Sequence, residues 1–207
     1  MKATIVYDNT AYEKGLKADW GFAALLDIED VPKILFYAGG DGNILPNNMK
    51  KLNIDPMDID ELFISHAHYD HIGELSGFLT ENDNVKVWSP SFRGVKKAKE
   101  VIYVDEPREL HPGVYSTGEL ERMEQSLCVE TERGIVVIVG CSHPKMENIL
   151  KAADRFGNVH GIIRGLHGTK PESLDDLALI CATHCTQKKQ MMKTMYPKAH
   201  KEGVRVE

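Results

Sequence analysis

The sequence lacks any apolar run long enough to cross a bilayer. Its longest purely aliphatic stretch is Ile135 to Val139, against the ~20 residues that a spanning helix requires. It also lacks a basic excess, since the net charge is −6. A phosphate-backbone footprint goes with a basic bias, so neither nucleic acid nor a membrane is an expected partner. A local basic pocket for one small anionic substrate remains compatible with this balance. Cysteine is scarce: Cys128, Cys141, Cys181 and Cys185 are the four present, and none forms a CxxC pair. This argues against the disulfide framework of a small secreted domain and for thiols in a reducing compartment. Met1 to Tyr7 shows no charged stretch leading into a long apolar one. No signal peptide is therefore expected, and the expected location is cytoplasmic. Repeats and low-complexity stretches are absent as well.

What is present is an ordinary globular balance, 42% hydrophobic and 27% charged over 207 residues, which suits a single domain spanning 1–207. Strand patterns run over Ala3 to Tyr7, Phe22 to Ile28, Ile34 to Tyr37 and Glu61 to Ile64. Further strands are expected at Val85 to Trp88 and Val101 to Val104, then a hairpin of Gln125 to Thr131 and Ile135 to Val139. The second arm of that hairpin is apolar throughout, as in a central strand buried on both faces. Val159 to Ile163 and Leu177 to Ala182 complete the strand set. Helices are expected at Ile44 to Leu52 with Asn43 as N-cap, Ile72 to Leu79, Pro144 to Phe156 and Thr186 to Met195. Lys96-Lys97-Ala98-Lys99 reads as a solvated helix face, and His111, before Pro112-Gly113, as a turn residue. Strands in the first two-thirds with interspersed helices suggest packed sheets covered by helices, an α/β (α+β) arrangement, rather than one doubly wound sheet.

The nine histidines are unevenly placed. Three of them fall in Ser65-His66-Ala67-His68-Tyr69-Asp70-His71, directly after the strand ending at Ile64. His66 and His68 point the same way in extended chain, and Asp70 and His71 fall where strand turns into helix. Neutral imidazole and carboxylate are ligands for zinc, manganese or iron. His143, in Gly140-Cys141-Ser142-His143, and His184, in Ala182-Thr183-His184-Cys185-Thr186, each follow an apolar strand. Alone, each would more simply be a packed or exposed histidine. Beside the main cluster they become candidate ligands at a sheet rim.

His66-Ala67-His68-Tyr69-Asp70-His71 matches the HxHxDH signature, and on it the chain resembles the metallo-β-lactamase superfamily. Asp8-Asn9-Thr10, Trp20-Gly21-Phe22, Gly140 to His143, Ile163 to His167 and His184-Cys185-Thr186 narrow the resemblance. They are similar to a branch of archaeal and bacterial metal-dependent hydrolases that includes the methanopterin-pathway dihydropteridine synthase. The resemblance runs from about Asp8 to about Thr186 and implies a four-layer αββα sandwich. It implies two divalent transition-metal ions, zinc foremost, with manganese or iron as alternatives. His66, His68 and His143 would hold one, and Asp70, His71 and His184 the other. The implied activity is hydrolysis of an ester-like or phosphorylated small molecule by metal-activated water, with Asp70 as catalytic residue. A pterin-type transferase and a non-catalytic metal-binding or ligand-sensing module are the alternatives.

The chain departs from the superfamily pattern in places. An aspartate usually ends the strand before the glycine-rich turn and supports the ligands; here Tyr37 stands there, with Asp41 four residues on as a partial substitute. The bridging aspartate is not evident, and Cys141 lies at an equivalent strand end. Cys141 is either a ligand that favours zinc or iron, or a small buried hydrophobe. The region from Trp88 to His111 is compressed, which implies a smaller or more open pocket. His167 and Arg164 are candidates for substrate binding, against the plainer readings of a loop histidine and a surface ion pair.

Overall fold

A computed structural model describes residues 1–203, 205 and 206, with the side chain of Arg164 outside the described set. The chain divides into two compact units, Met1–Tyr103 with Gly203–Glu207, and Val104–Glu202. Each has its own mixed sheet.

In the first unit, β1 (Lys2–Tyr7), β2 (Ala23–Asp27) and β3 (Ile34–Phe36) pair antiparallel. β4 (Glu61–Phe63), β5 (Lys86–Ser89) and β6 (Glu100–Tyr103) then run parallel to β3 and to one another. A short strand at Arg205–Val206 adds to the outer edge of β1, and the sheet has seven strands. β3 and β4 are buried at every position, as parallel strands covered on both faces must be. Helix α1 (Ile44–Lys51) buries Ile44, Leu45 and Met49. Its one buried polar side chain, Asn48, is satisfied: Nδ2 donates to Val6 O and Lys17 O, each at 2.8 Å, and Oδ1 accepts from Lys17 N at 2.8 Å. Asn43 occupies the expected N-cap position, but its side chain makes no capping bond.

The second unit holds a six-stranded sheet. It opens on a hairpin of β7 (Arg108–His111) and β8 (Val114–Ser116), neither read from the sequence. His111 ends β7 and pairs with Val114 across the Pro112-Gly113 turn. β9 (Leu127–Thr131) and β10 (Gly134–Val139) form the expected second hairpin. β11 (Val159–Gly165) and β12 (Leu179–Thr183) follow, parallel to β10. β10 is central and buried from Ile135 to Val139, as its composition predicts. Helix α4 (Met146–Ala153) sets Met146, Ile149 and Ala153 into a core with Val137, Val139, Ile162 and Ile180. Truncating Ile149, which is fully buried, is worth about 2–5 kcal/mol.

Four helix readings are corrected. The helix expected over Ile72 to Leu79 is two pieces, α2 (Tyr69–Ile72) and α3 (Leu75–Glu81). The break falls at Gly73, where a Cβ would stand 2.2 Å from the Gly40 carbonyl oxygen. Close approach of the glycine turn, not local propensity, divides the helix. The helix expected from Pro144 starts only at Met146, with Lys145 still extended, because the preceding amides are engaged elsewhere. The Lys96–Lys99 segment is irregular chain with Lys97 at φ 67°, not a helix face. The last helix, α5 (Lys189–Met195), starts three residues later than expected, because Thr186 is held in a turn by its bonds to Thr183 O.

Candidate metal site

The HxHxDH segment leaves β4 in extended chain, with Ile64 N donating to Trp88 O at 2.9 Å. Ser65 and His66 are buried. His68, still extended, occupies the N-cap of α2, so Asp70 and His71 lie inside the first helical turn. This brings the four donors of the first unit together. The His66 ring lies 4.6 Å from that of His68 and 4.7 Å from that of His71, edge-on to the first and steeply inclined to the second. Asp70 Oδ2 stands 3.5 Å from His71 Nε2. His71 is fully buried, while His68 is exposed and Asp70 partly so.

The support under this set comes from Tyr37. Its hydroxyl lies 2.5 Å from His66 Nδ1 and accepts from His66 N at 3.0 Å. Its ring stacks on His71 at 4.5 Å. It is a buried, non-glycine residue in the left-handed region, φ 68°, a conformation that persists only where surroundings enforce it. One phenol thus orients two histidines from the position expected for an aspartate. Asp41 adds nothing to this support, because it is exposed and its carboxylate accepts from Asn43 N and Nδ2. The Trp20-Gly21-Phe22 motif also finds its reason here. Phe22 N donates to Asp70 O at 3.2 Å, and a Cβ on Gly21 would meet the same oxygen at 2.9 Å.

In the second unit the Gly140–His143 loop wraps one buried carboxylate. Glu124 accepts from Gly140 N at 2.9 Å and from Cys141 N, Ser142 N and His143 N at 3.2 Å each. Ser142 takes φ 58° and donates its hydroxyl to Gly165 O at 2.8 Å. The His184 loop is pinned by Thr186, whose hydroxyl donates to Thr183 O at 2.7 Å and accepts from Leu166 N at 3.0 Å. Cys141 Sγ, a ring nitrogen of His184 and Cys185 Sγ lie within 4.8 Å of one another. His143 faces His167, ring centroids 5.6 Å apart, and His167 itself is exposed. The Arg164 side chain, the other candidate for substrate binding, lies outside the described residues. Glu124 gave no signal in the sequence, since its four partners meet it only through the fold. Cys185 stood beside His184 in the motif but drew no role there.

The donor chemistry suits transition metals: imidazole and carboxylate in one unit, imidazole and thiol in the other. All four cysteines are buried thiols. No helix among the described residues is long and apolar enough to cross a membrane.

Comparison with known proteins bears on the family. The model of the metallo-β-lactamase superfamily matches residues 21–122, which include the whole HxHxDH segment. The crystal structure of Tm1679, a metal-dependent hydrolase of the β-lactamase superfamily, aligns with a TM-score of 0.76 at 22% identity, over 100% of this chain and 98% of that one. Over residues 21–122 the chain resembles the metallo-β-lactamase superfamily. The crystal structure of YhfI from Bacillus subtilis, a metallo-β-lactamase fold protein, matches with a TM-score of 0.67 at 12% identity, covering 99% of this chain and 98% of that one. These likenesses show the fold class expected from the sequence, the superfamily's α/β sandwich, here with two mixed sheets and helices. The 7,8-dihydropterin-6-methyl-4-(beta-D-ribofuranosyl)-aminobenzene-5'-phosphate synthase of Methanocaldococcus jannaschii is 24% identical over 253 aligned positions, 88% of this chain and 86% of the relative. The alignment is longer than this chain, so the relative carries segments that this chain lacks.

Proposed function

We propose that this chain is a metal-dependent hydrolase acting on an ester-like or phosphorylated small molecule through a dinuclear centre, with zinc as the metal. The observation that carries the reading is the compact donor set of His66, His68, Asp70 and His71, braced from beneath by Tyr37. The resemblance assigns His66, His68 and His143 to one ion and Asp70, His71 and His184 to the other. When bound, the metal pair supplies a nucleophile from water near neutral pH and polarises the ester or phosphoryl group under attack. Tyr37 fixes the His66 ring so that its Nε2 keeps one direction. Asp70, part-exposed beside His71, would orient the water or accept its proton. His167, exposed beside His143, would bind substrate or shuttle a proton. The net charge of −6 fits a small-molecule substrate rather than a nucleic acid.

The relative from Methanocaldococcus jannaschii supports a second reading, a pterin-type transferase. The segments that this chain lacks count against it, because a bulkier substrate needs more covering chain. The non-catalytic module loses its main support, since Tyr37 takes up the vacant supporting role instead of leaving it empty.

Metal analysis of untreated protein, together with a screen of phosphodiesters, phosphomonoesters and lactones, tests the proposal. More than one equivalent of transition metal is expected, with turnover that a chelator abolishes and metal restores. Protein that neither carries metal nor binds it on titration would overturn the reading. Turnover indifferent to chelation would do the same.

A further inference from the structure

Cys185 is a residue to which neither motif nor relative assigns a role. It follows His184, which holds φ 43°, a strained conformation for a residue with a side chain. That turn places the thiol inward, only 6% exposed. The space it enters is kept open by Gly165, where a Cβ would come within 2.6 Å of the Cys185 sulfur and 2.9 Å of Gly140 O. Cys141, 3% exposed, meets it there because Glu124 and Ser142 hold its loop in place. The third member, a ring nitrogen of His184, completes a trio of donor atoms within 4.8 Å of one another. Tetrahedral zinc, with bonds of about 2.3 Å to sulfur and about 2.0–2.1 Å to nitrogen, sets its donors roughly 3.5 Å apart. Small side-chain rotations close that difference.

We infer that Cys185 joins Cys141 and His184 as a three-donor, thiolate-rich metal site. The inference rests on the proposed metal at His184 and revises its ligands: Cys141 and Cys185 take the place of Asp70 and His71, which stay with the nitrogen-oxygen set of the first unit. Two thiolates and one imidazole form a soft set, which selects zinc or iron(II) and discriminates against manganese and magnesium. The imidazole and carboxylate donors of the first unit make no such choice. The two sets therefore differ in the metals they retain, and manganese supplied alone fills only the nitrogen-oxygen set. Three protein donors leave a fourth position for solvent or a further ligand.

Apo protein titrated with cobalt(II) tests this through the thiolate-to-metal charge-transfer band. The wild type should develop the band, and Cys185→Ser and Cys141→Ser should each remove part of it. Cys128→Ser serves as control, because Cys128 is fully buried in the sheet and burial pushes its thiol well up. Zinc absorption fine structure on the wild type gives a second measurement that does not depend on any variant folding: two sulfurs at about 2.3 Å on one zinc. A band of full strength in folded Cys185→Ser, or one sulfur or none around zinc, overturns the inference. Cobalt bound without any thiolate band also defeats it but leaves the hydrolase reading standing. No cobalt bound at all defeats both.

Discussion

The two donor sets are delivered in opposite ways. In the first unit four donors come from six consecutive residues, two from the extended chain after β4 and two from the short helical turn that follows it. In the second, Cys141 and Cys185 are 44 residues apart, and each sits on a loop that leaves a strand and is tied down by side chains elsewhere. A contiguous motif carries its own geometry and needs only a brace, which Tyr37 provides. A dispersed set exists only while its anchors hold. Sensitive positions in the first unit should thus lie beside the ligands, and in the second some distance from them.

The largest expected effect follows from that contrast. In Glu124→Gln one acceptor oxygen becomes an amide NH2 facing backbone N–H groups, and several charge-assisted bonds are lost together. Hydrogen bonds to charged groups are worth about 1.5–3 kcal/mol each and do not add, so a loss of about 3 kcal/mol in a urea titration is expected. The cobalt-thiolate band should weaken in parallel, although residue 124 is no ligand. A loss below about 1 kcal/mol would show that the Gly140–His143 loop holds itself, and the contrast would fall.

Tyr37→Phe should act more locally. It keeps the stack on His71 but removes the hydroxyl that meets His66. Metal affinity of the first unit's set should drop by about 10- to 100-fold, the range for groups that orient a ligand. Stability should fall by about 1 kcal/mol, and the cobalt-thiolate band should stay as it is. Calorimetric titration alongside the absorption spectrum separates the two. A band that shrinks as much in Tyr37→Phe as in Glu124→Gln would mean that the sets are not independently braced.

His167→Ala should be milder still. The side chain is exposed, so stability should move within about 0.5 kcal/mol and metal content should stay unchanged, whereas His184→Ala loses metal. A His167→Ala protein that loses metal while His184→Ala keeps it would reverse the assignment at this end of the chain.

The same contrast explains what could be read from the sequence. The HxHxDH run, the apolar β10 and the histidines at strand ends are local signals, and they pointed to the superfamily fold and to most candidate donors. Tyr37 could be flagged only as a departure from a pattern. That its hydroxyl reaches His66 depends on β3 lying beside β4 in parallel register. Glu124 and Cys185 escaped because their partners come from chain far off in sequence. The helix break at Gly73 and the late start of α4 have the same origin: a backbone contact with Gly40 in one case, and amides held by Glu124 in the other. Short edge elements such as β7 and β8 carry too few residues to show a period, so pairing partners rather than pattern define them.

The smallest expected effects concern pH, and the two units again differ in sign. In the first, burial pushes the Glu74 carboxyl up, with Glu81 and Asp41 adding to the shift. The native state therefore holds this proton at pH values where the unfolded chain, at about 4.3, has released it. The charged form is the penalised one, so Glu74 lowers stability at neutral pH, and that cost fades as pH falls through its raised value. Glu74→Gln should be slightly more stable than the parent at pH 7, within about 0.5 kcal/mol, and lose the gain towards pH 4. In the second unit burial pulls His200 down, only partly offset by Glu202. The native state then resists a proton that the unfolded chain takes up near pH 6.5, so stability falls as pH drops below that value. His200→Gln should flatten this acid-side decline without changing the behaviour above pH 7. Urea midpoints from pH 4 to pH 8 for the parent and both variants make the comparison. If Glu74→Gln loses stability at pH 7, or if His200→Gln leaves the acid slope intact, burial is not what governs these two groups.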